Sequence, residues 1–296
     1  IWYITFIIPF RRINMYRIIS KTALCDAVIK MEIEAPLVAR KAEAGQFIIL
    51  RVNDDGERIP LTIADFDRKS GSVTIIFQTV GATTRLLAAK NAGEYISDFV
   101  GPLGKATETE GLRKVAVIGG GVGSAIALPI AKKLHKSGAT VHSIVGFRSE
   151  SLVILRDEFA SASDAFFLMT DDGSAGEKGL VTDKLRALIE LGEKYDEVIA
   201  IGPLMMMKFV CKLTKEFGIK TVVSMNPIMI DGTGMCGGCR LTVGGKTVFA
   251  CVDGPDFDGH LVDFDEVIKR NSMYRDFEKR CDEKVCNLLK RGEDNG

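Results

Sequence analysis

A change of hydrophobic period near Leu112 restricts the fold more than any other feature of the sequence. Before it, apolar residues recur at every second position: Ile29, Met31 and Ile33, then Val73, Ile75 and Phe77. That is the period of half-buried strands. Ala44–Leu50 adds a more buried strand, and short strands separated by Gly and Asp turns predict a closed antiparallel barrel. A single helix is expected from Thr84 to a stop at Gly93. After Leu112 the pattern becomes strand, turn, helix, repeated. Strands are expected at Lys114–Ile118, Val141–Phe147, Phe166–Thr170, Glu197–Ile201 and Thr221–Met225, with helices at Ser124–Lys136, Val181–Leu191 and Met205–Phe217. A βα repeat of this kind predicts a parallel sheet with helices on both faces. The fold class is therefore β-barrel plus α/β.

A third kind of segment follows. Asp231-Gly232-Thr233-Gly234-Met235-Cys236-Gly237-Gly238-Cys239 and Ala250-Cys251 put three thiols and a carboxylate in a glycine-rich loop. The C-x2-C pair, the third Cys after eleven residues, and Asp231 five positions before Cys236 can be set beside the plant-type [2Fe-2S] spacing, with Asp231 where that pattern has its first thiol. Glycine suits such a loop because backbone N–H groups must approach cluster sulfur without Cβ clashes. The metal set read here is Asp231, Cys236, Cys239 and Cys251. Zinc held by the three thiols with Asp231 or His260 is the alternative, although zinc sites usually present two C-x2-C arms and this chain has one.

Other segments carry chemistry at element ends. Arg58-Ile59-Pro60-Leu61-Thr62-Ile63 lies in the first half, as does Val80-Gly81-Ala82-Thr83-Thr84, a glycine turn with two hydroxyls at a helix start, where free N–H groups and the helix dipole favour phosphate. A Thr cap ending a loop is the plainer reading of the second. In the second half, Gly119-Gly120-Gly121-Val122-Gly123, Gly146-Phe147-Arg148, Thr170-Asp171-Asp172-Gly173-Ser174 and Gly202-Pro203-Leu204-Met205-Met206 all fall at the carboxyl ends of expected strands, where open parallel sheets bind ligands. The glycine run has Ser124 in place of the last glycine of G-x-G-x-x-G. Met205–Met207 could equally be core at a helix start, and Arg148 could pair with Glu150. His135 and His142 receive no role.

With Gly101-Pro102-Leu103-Gly104, these segments resemble the ferredoxin–NADP reductase-like superfamily. There, an R-x-Y-S/T motif packs an aromatic ring on the isoalloxazine and points a hydroxyl at it, and a G-x-x-T/S turn holds the pyrophosphate. By position Thr62 keeps the hydroxyl, Leu61 stands at the aromatic place, and Arg58 falls one residue before the motif's arginine, at whose place Ile59 sits. The resemblance implies FAD contacts from Arg58, Pro60, Leu61, Thr62, Phe77, Gln78, Gly81, Thr83 and Thr84, with Thr62 the catalytic candidate at the reacting ring. It implies NAD(H) contacts from Gly119, Gly120, Gly121, Val122, Gly123, Arg148, Asp171, Asp172, Gly173, Gly202, Pro203 and Met205. The family's A-P after the glycine run is here Ala125-Ile126, and the lack of basic residues beside Arg148 leans towards NAD over NADP.

The order of barrel, nucleotide domain and Cys loop is similar to the electron-transfer subunit of dihydroorotate dehydrogenase, from Met15 to about His260. That subunit binds FAD and uses four Cys. The Asp-plus-three-Cys set with Arg58–Asp65 resembles more closely the small subunit of NADH-dependent reduced ferredoxin:NADP oxidoreductases, also labelled ferredoxin–NADP reductase alpha or sulfide dehydrogenase subunits. That resemblance implies FAD, a [2Fe-2S] cluster and NAD(H) as cofactors, and a heterodimer with a larger iron–sulfur flavoprotein subunit that handles NADP(H) and ferredoxin. A dihydroorotate-oxidising partner and a non-enzymatic zinc and nucleotide-binding module remain the other readings.

The expected division is a leader or artefact at 1–14, with Met15 the natural start, an FAD barrel at 15–110, an NAD(H) domain at 111–225, a cluster module at 226–262 and a helical tail at 263–296. With 39 basic and 39 acidic residues no footprint for nucleic acid or an anionic membrane is visible. The apolar run at the start is shorter than the ~20 residues a membrane span needs. Seven cysteines, odd in number and unevenly spread, do not suggest a disulfide framework and point to a reducing cytoplasm. Cys25, Cys211, Cys281 and Cys286 are expected to be ordinary thiols.

Overall fold

A computed structural model describes residues 15–293, with side chains through Val285. The expectations for 1–14 and for Cys286 lie outside the described residues and side chains. The first half forms seven antiparallel strands: β1 (Tyr16–Cys25), β2 (Val28–Glu34), β3 (Phe47–Arg51), β4 (Ile59–Asp67), β5 (Ser72–Gln78), β6 (Tyr95–Ile96) and β7 (Asp98–Leu103). Their order is β6-β1-β2-β5-β4-β3-β7, so the two edge strands are consecutive in the chain, joined at Ser97, and the sheet nearly closes on itself. Side chains of Ile33, Ile48, Leu50, Ile63, Ile75 and Phe77 fill the interior, as a two-residue period requires. Two helices accompany the barrel, where the sequence predicted one. Helix α1 (Pro36–Lys41) begins at a proline, whose fixed φ and missing N–H suit a first turn, and buries Val38 and Ala39. Helix α2 (Ala82–Ala89) starts two residues earlier than expected.

The second half holds parallel strands β8 (Lys114–Gly120), β9 (Thr140–Phe147), β10 (Ala165–Thr170), β11 (Glu177–Lys178), β12 (Glu197–Ile201) and β13 (Thr221–Ser224). The sheet order is β11-β10-β9-β8-β12-β13, continued by an antiparallel edge strand. Its central strands are apolar on both faces. Val115 and Val117 face α3 (Ser124–Lys136), while Ala116 and Ile118 face α5 (Val181–Glu190) and α6 (Leu204–Glu216), with α4 (Arg156–Ser161) lying between β9 and β10 in sequence. That double burial explains the near-continuous apolar runs. Helix α3 and strand β12 have the bounds the sequence predicted.

The remaining elements are small. Strands β14 (Arg240–Val243) and β15 (Lys246–Phe249) pair with Val243 opposite Lys246, so Gly244 and Gly245 form a two-residue turn at φ 58° and 76°, the left-handed pair such hairpins demand. Strand β16 (Asp256–Asp258) is the antiparallel edge strand on β13. Helix α7 (Phe264–Asn271) is capped by Asp263, whose Oδ1 accepts the Glu266 N–H at 3.0 Å. Helix α8 (Arg275–Glu293) returns to the barrel, where Asp282 accepts two hydrogen bonds from Arg85 of α2 at 2.7 and 3.3 Å. Ala64 and Ile76 of the barrel join the core on the α3 face of the sheet, and Phe47 and Ile49 join the core on the opposite face. None of the described helices is long and apolar enough to cross a membrane.

Candidate cluster centre and nucleotide crevice

The cysteine loop is shaped by its own acid. Asp231 Oδ1 accepts the Thr233 N–H at 3.0 Å, and Oδ2 accepts the Cys236 N–H at 2.9 Å and the Thr233 hydroxyl at 3.2 Å. The Thr233 N–H, with further help from Cys236, holds this carboxyl below the usual range. Gly232, Gly234 and Gly237 all have positive φ. At Gly232, where φ is 79°, a Cβ would lie 2.6 Å from Leu103 Cδ1 and 2.9 Å from Ile49 Cδ1, so a side chain there would have to adopt a left-handed backbone and push aside two side-chain tips of the barrel. The Gly238 N–H points at Cys236 Sγ, 3.4 Å away.

The β14–β15 hairpin supplies the other two thiols. Cys239 precedes β14 and Cys251 follows β15, and pairing of Arg240 with Phe249 brings their sulfurs to 3.3 Å. Both are buried, whereas Cys236 is exposed. Burial, and then the Cys239 thiol, push the Cys251 thiol up to about 12. Two buried thiols side by side resist ionisation unless a cation shares them. Among the described residues no three of His, Cys, Asp and Glu close on one point as the ligands of a single ion would. The donors come instead as two pairs, Cys239 with Cys251 and Asp231 with Cys236, and backbone N–H groups reach sulfur between them. Thiolate softness, paired donors and a glycine cradle fit a binuclear iron–sulfur group better than a tetrahedral zinc. Cys25 and Cys281 are half-buried, and Cys211 is buried with its thiol pushed up to about 12 by that burial.

Strand register links this loop to the Arg58–Ile63 segment. Ile49 pairs with Pro60 and Phe47 with Thr62, and Phe47 and Ile49 face away from the barrel interior. Pro60 and Thr62 therefore share the outer face against which Gly232 is pressed. Leu61 packs towards the barrel interior, and Phe77, 2 % exposed, lies wholly within it. Gln78 is half-buried at the end of β5. At the head of α2 the Thr84 hydroxyl accepts the Val80 and Gly81 N–H groups at 3.1 and 3.0 Å, so Thr84 braces the turn from the third helical position while Gly81, and not a threonine, is the N-cap. The Thr83 hydroxyl donates to Glu57 at 3.1 Å. Nothing lies within 4 Å of where a Gly81 Cβ would be, so the approach to the α2 N-terminus is open there.

The glycine turn and the β12 turn interlock. Gly120 admits Met206 Sδ and Pro203 Cδ to 2.4 and 2.9 Å of where a Cβ would be, and Gly123 admits Ile201 O to 2.6 Å. Gly121 has φ 54° with open space beside it. Strand order reverses between β8 and β12, so the two turns lie at the topological switch point, the place where open parallel sheets bind ligands. Arg148 is exposed after β9 and has no ion pair among the described residues, so the Glu150 pairing is not seen. Asp171 and Asp172 donate main-chain N–H groups to Phe147 O and Arg148 O at 3.1 and 3.3 Å, which ties the β10 loop to the β9 loop. The Ser174 hydroxyl and N–H hold the Asp172 carboxyl below its usual range. Of the three methionines, Met207 is core, Met206 fills the space between the turns, and Met205 is 49 % exposed at the start of α6.

Three contacts escaped sequence reasoning. Arg58 Nε donates to Ile230 O at 3.0 Å, Arg270 of α7 donates to Gly238 O at 3.2 Å, and the Thr107 hydroxyl donates to Asp256 at 2.5 Å. Each joins segments far apart in the chain, and no local motif marks them.

Comparison with known proteins agrees with this arrangement. The family profile for the iron–sulfur cluster binding domain of dihydroorotate dehydrogenase B matches residues 226–263. A dihydroorotate dehydrogenase B (NAD(+)) electron transfer subunit homolog of Thermotoga maritima is 46% identical over 262 residues, 88% of this chain and 92% of the relative. The electron transfer subunit of Bacillus velezensis is 34% identical over 253 residues, covering 82% and 96%. The chain belongs to the dihydroorotate dehydrogenase B electron transfer subunit family. A chain from the solved structure of NADH-dependent reduced ferredoxin-NADP oxidoreductase, described for flavin-based electron bifurcation, superposes with a TM-score of 0.87 at 44% identity, covering 92% of this chain and 98% of that one. This member of the electron transfer subunit family thus has the ferredoxin–NADP reductase-like pairing of barrel and nucleotide sheet expected from its motifs.

Proposed function

We propose that the chain is an FAD and [2Fe-2S] electron-transfer subunit that exchanges a hydride with NAD(H) and passes electrons between the flavin and a larger iron–sulfur flavoprotein subunit handling ferredoxin and NADP(H). The observation that carries this reading is the shared face of the barrel: the loop bearing Asp231 and Cys236 is pressed onto Ile49 and Leu103, across the β3–β4 ladder from Pro60. A flavin on that face and a cluster in that loop would be neighbours. A flavin accepts a hydride as a pair and releases electrons singly, which is what joins a nicotinamide to an iron–sulfur cluster.

The residues divide the work. Thr62 offers a hydroxyl to the flavin ring beside Pro60, with Leu61 packed behind them towards the barrel interior. Gln78, Gly81, Thr83 and Thr84 serve the ring edge and the pyrophosphate, where the first N–H groups of α2 favour an anion. Phe77 contributes as barrel packing beneath them. Gly119–Gly123 let a dinucleotide approach the main chain, Gly202, Pro203 and Met205 close the nicotinamide side, Arg148 offers a charge to a phosphate, and Asp171, Asp172 and Gly173 line the outer rim. Asp231 and Cys236 would hold one iron, and Cys239 and Cys251 the other. The working division remains barrel 15–110, nucleotide domain 111–225, cluster module 226–262 and tail 263–296, in a reducing cytoplasm where the thiols stay free.

The larger partner is supported by the likeness to the ferredoxin-NADP oxidoreductase chain. A second reading, a partner that oxidises dihydroorotate, is favoured by the names of the relatives at 46% and 34% identity. Anaerobic purification of the tagged chain from its own cells tests both. The expected result is a coloured complex with flavin, iron and acid-labile sulfide, and a glutamate-synthase-like larger subunit. An FMN-barrel partner would favour the second reading, and a colourless zinc protein without flavin would overturn both.

A further inference from the structure

Arg58 stands where sequence position suggests a phosphate contact, yet its Nε donates to the carbonyl of Ile230, 172 residues away and immediately before Asp231. The residue after Asp231 is Gly232, fixed at φ 79° against the Ile49 and Leu103 side chains. Asp231 is therefore anchored to the barrel on both flanks, by a cation before it and by close packing after it. Its carboxylate is aimed in turn by the Thr233 and Cys236 N–H groups at 3.0 and 2.9 Å. A guanidinium immediately before β4 thus reaches the main chain of the ligand loop, and among the described residues no other side chain bonds the Ile230 carbonyl.

We infer that Arg58 is a positioning residue for the cluster, holding the Asp231 ligand in register with the flavin strand, and not a ligand of the flavin phosphates. This rests on the proposed function above. The physical consequence is twofold. Loss of the bond frees the Ile230–Asp231 peptide, so the geometry at the carboxylate-ligated iron changes. Loss of the cation also removes a positive charge near a group that becomes more negative on reduction, which lowers its reduction potential.

The test compares wild type, Arg58→Ala and Arg58→Lys as purified holoproteins, reading flavin and iron content, the EPR spectrum of the reduced cluster, and its midpoint potential. The expected result for Arg58→Ala is flavin content equal to wild type, with a changed EPR line shape and a more negative midpoint, or with partial loss of iron. Arg58→Lys, which restores the charge and one donor, should recover the potential at least in part. Loss of flavin with the cluster signal intact would overturn the inference, as would unchanged EPR and potential in Arg58→Ala, or loss of both groups in both variants. Wild type without flavin or iron would sink the proposed function itself, so the two failures are told apart.

Discussion

Asp231 occupies the place of a thiol in the cluster spacing, and its surroundings show how a carboxylate is made to fit there. Both oxygens accept main-chain N–H groups from the loop they close, and the next residue has no Cβ to keep it off the barrel. Gly232 and Gly245 share nearly the same φ, 79° and 76°, but a Gly232 Cβ would strike Leu103 whereas a Gly245 Cβ would meet nothing within 4 Å. Gly245→Ala is expected to cost only the left-handed strain, roughly 1–2 kcal/mol, with iron content unchanged. Gly232→Ala must also displace the Leu103 and Ile49 side-chain tips, adding about 1 kcal/mol, the low end of overpacking costs, and should lower the iron bound per chain, checked by thermal melts and iron assay on the two variants. Equal losses at both sites would show that close approach at Gly232 is unimportant. The identity of these residues was legible in the sequence because thiol spacing and glycine choice are local. The partners of Gly232 were not, since Ile49 and Leu103 look like any other strand residues until the barrel closes.

Helix α2 begins at a turn whose two outermost N–H groups are taken by Thr84, leaving the first-turn groups of the helix for an anion. Thr84→Val removes that acceptor while keeping the shape. It should destabilise the turn by ~1 kcal/mol and weaken FAD retention several-fold with the cluster left in place, measured by flavin fluorescence on titrating the flavin-depleted protein. Unchanged FAD affinity would remove α2 from the flavin site. Elements with a long, clean period were readable in advance, as the predicted bounds of α3 and β12 show. Short ones were not. Helix α1 has six residues, and β16 has three, Asp256–Asp258, two of them acids that read as a loop. The β14–β15 hairpin did carry a usable sign, Gly244-Gly245 between apolar-alternating residues.

At the scale of the molecule, the barrel, the parallel sheet and the cluster loop share cores, and one buried acid lies where they meet. Asp256 of β16 pairs with Ser224 of β13 and accepts the hydroxyl of Thr107, from the segment that leaves the barrel, while its Oδ1 has no partner among the described residues. Burial pushes this carboxyl up to about 6, against the hydrogen bonds from Thr107 and Ser224, with the Glu197 charge adding to the rise. A carboxyl with a folded pKa above its unfolded value holds its proton more readily in the fold. Its contribution favours the fold at low pH and is lost as pH rises through about 6. Asp256→Asn should therefore be more stable than wild type at about pH 8, by up to about 3 kcal/mol, with the difference vanishing below about pH 4, read from melts across that range. A pH-independent difference would mean that the acid is already neutral or well solvated.

The central claim is that one carboxylate and three thiolates of this chain hold a two-iron cluster within electron reach of its flavin. The most direct measurement is EPR of the holoprotein after anaerobic reduction with NADH, on wild type and Asp231→Cys. Wild type is expected to give an iron–sulfur signal, and Asp231→Cys a shifted signal and midpoint potential as the fourth ligand becomes a thiolate. No signal with the flavin reduced, or superimposable spectra and potentials from the two proteins, would contradict the central claim.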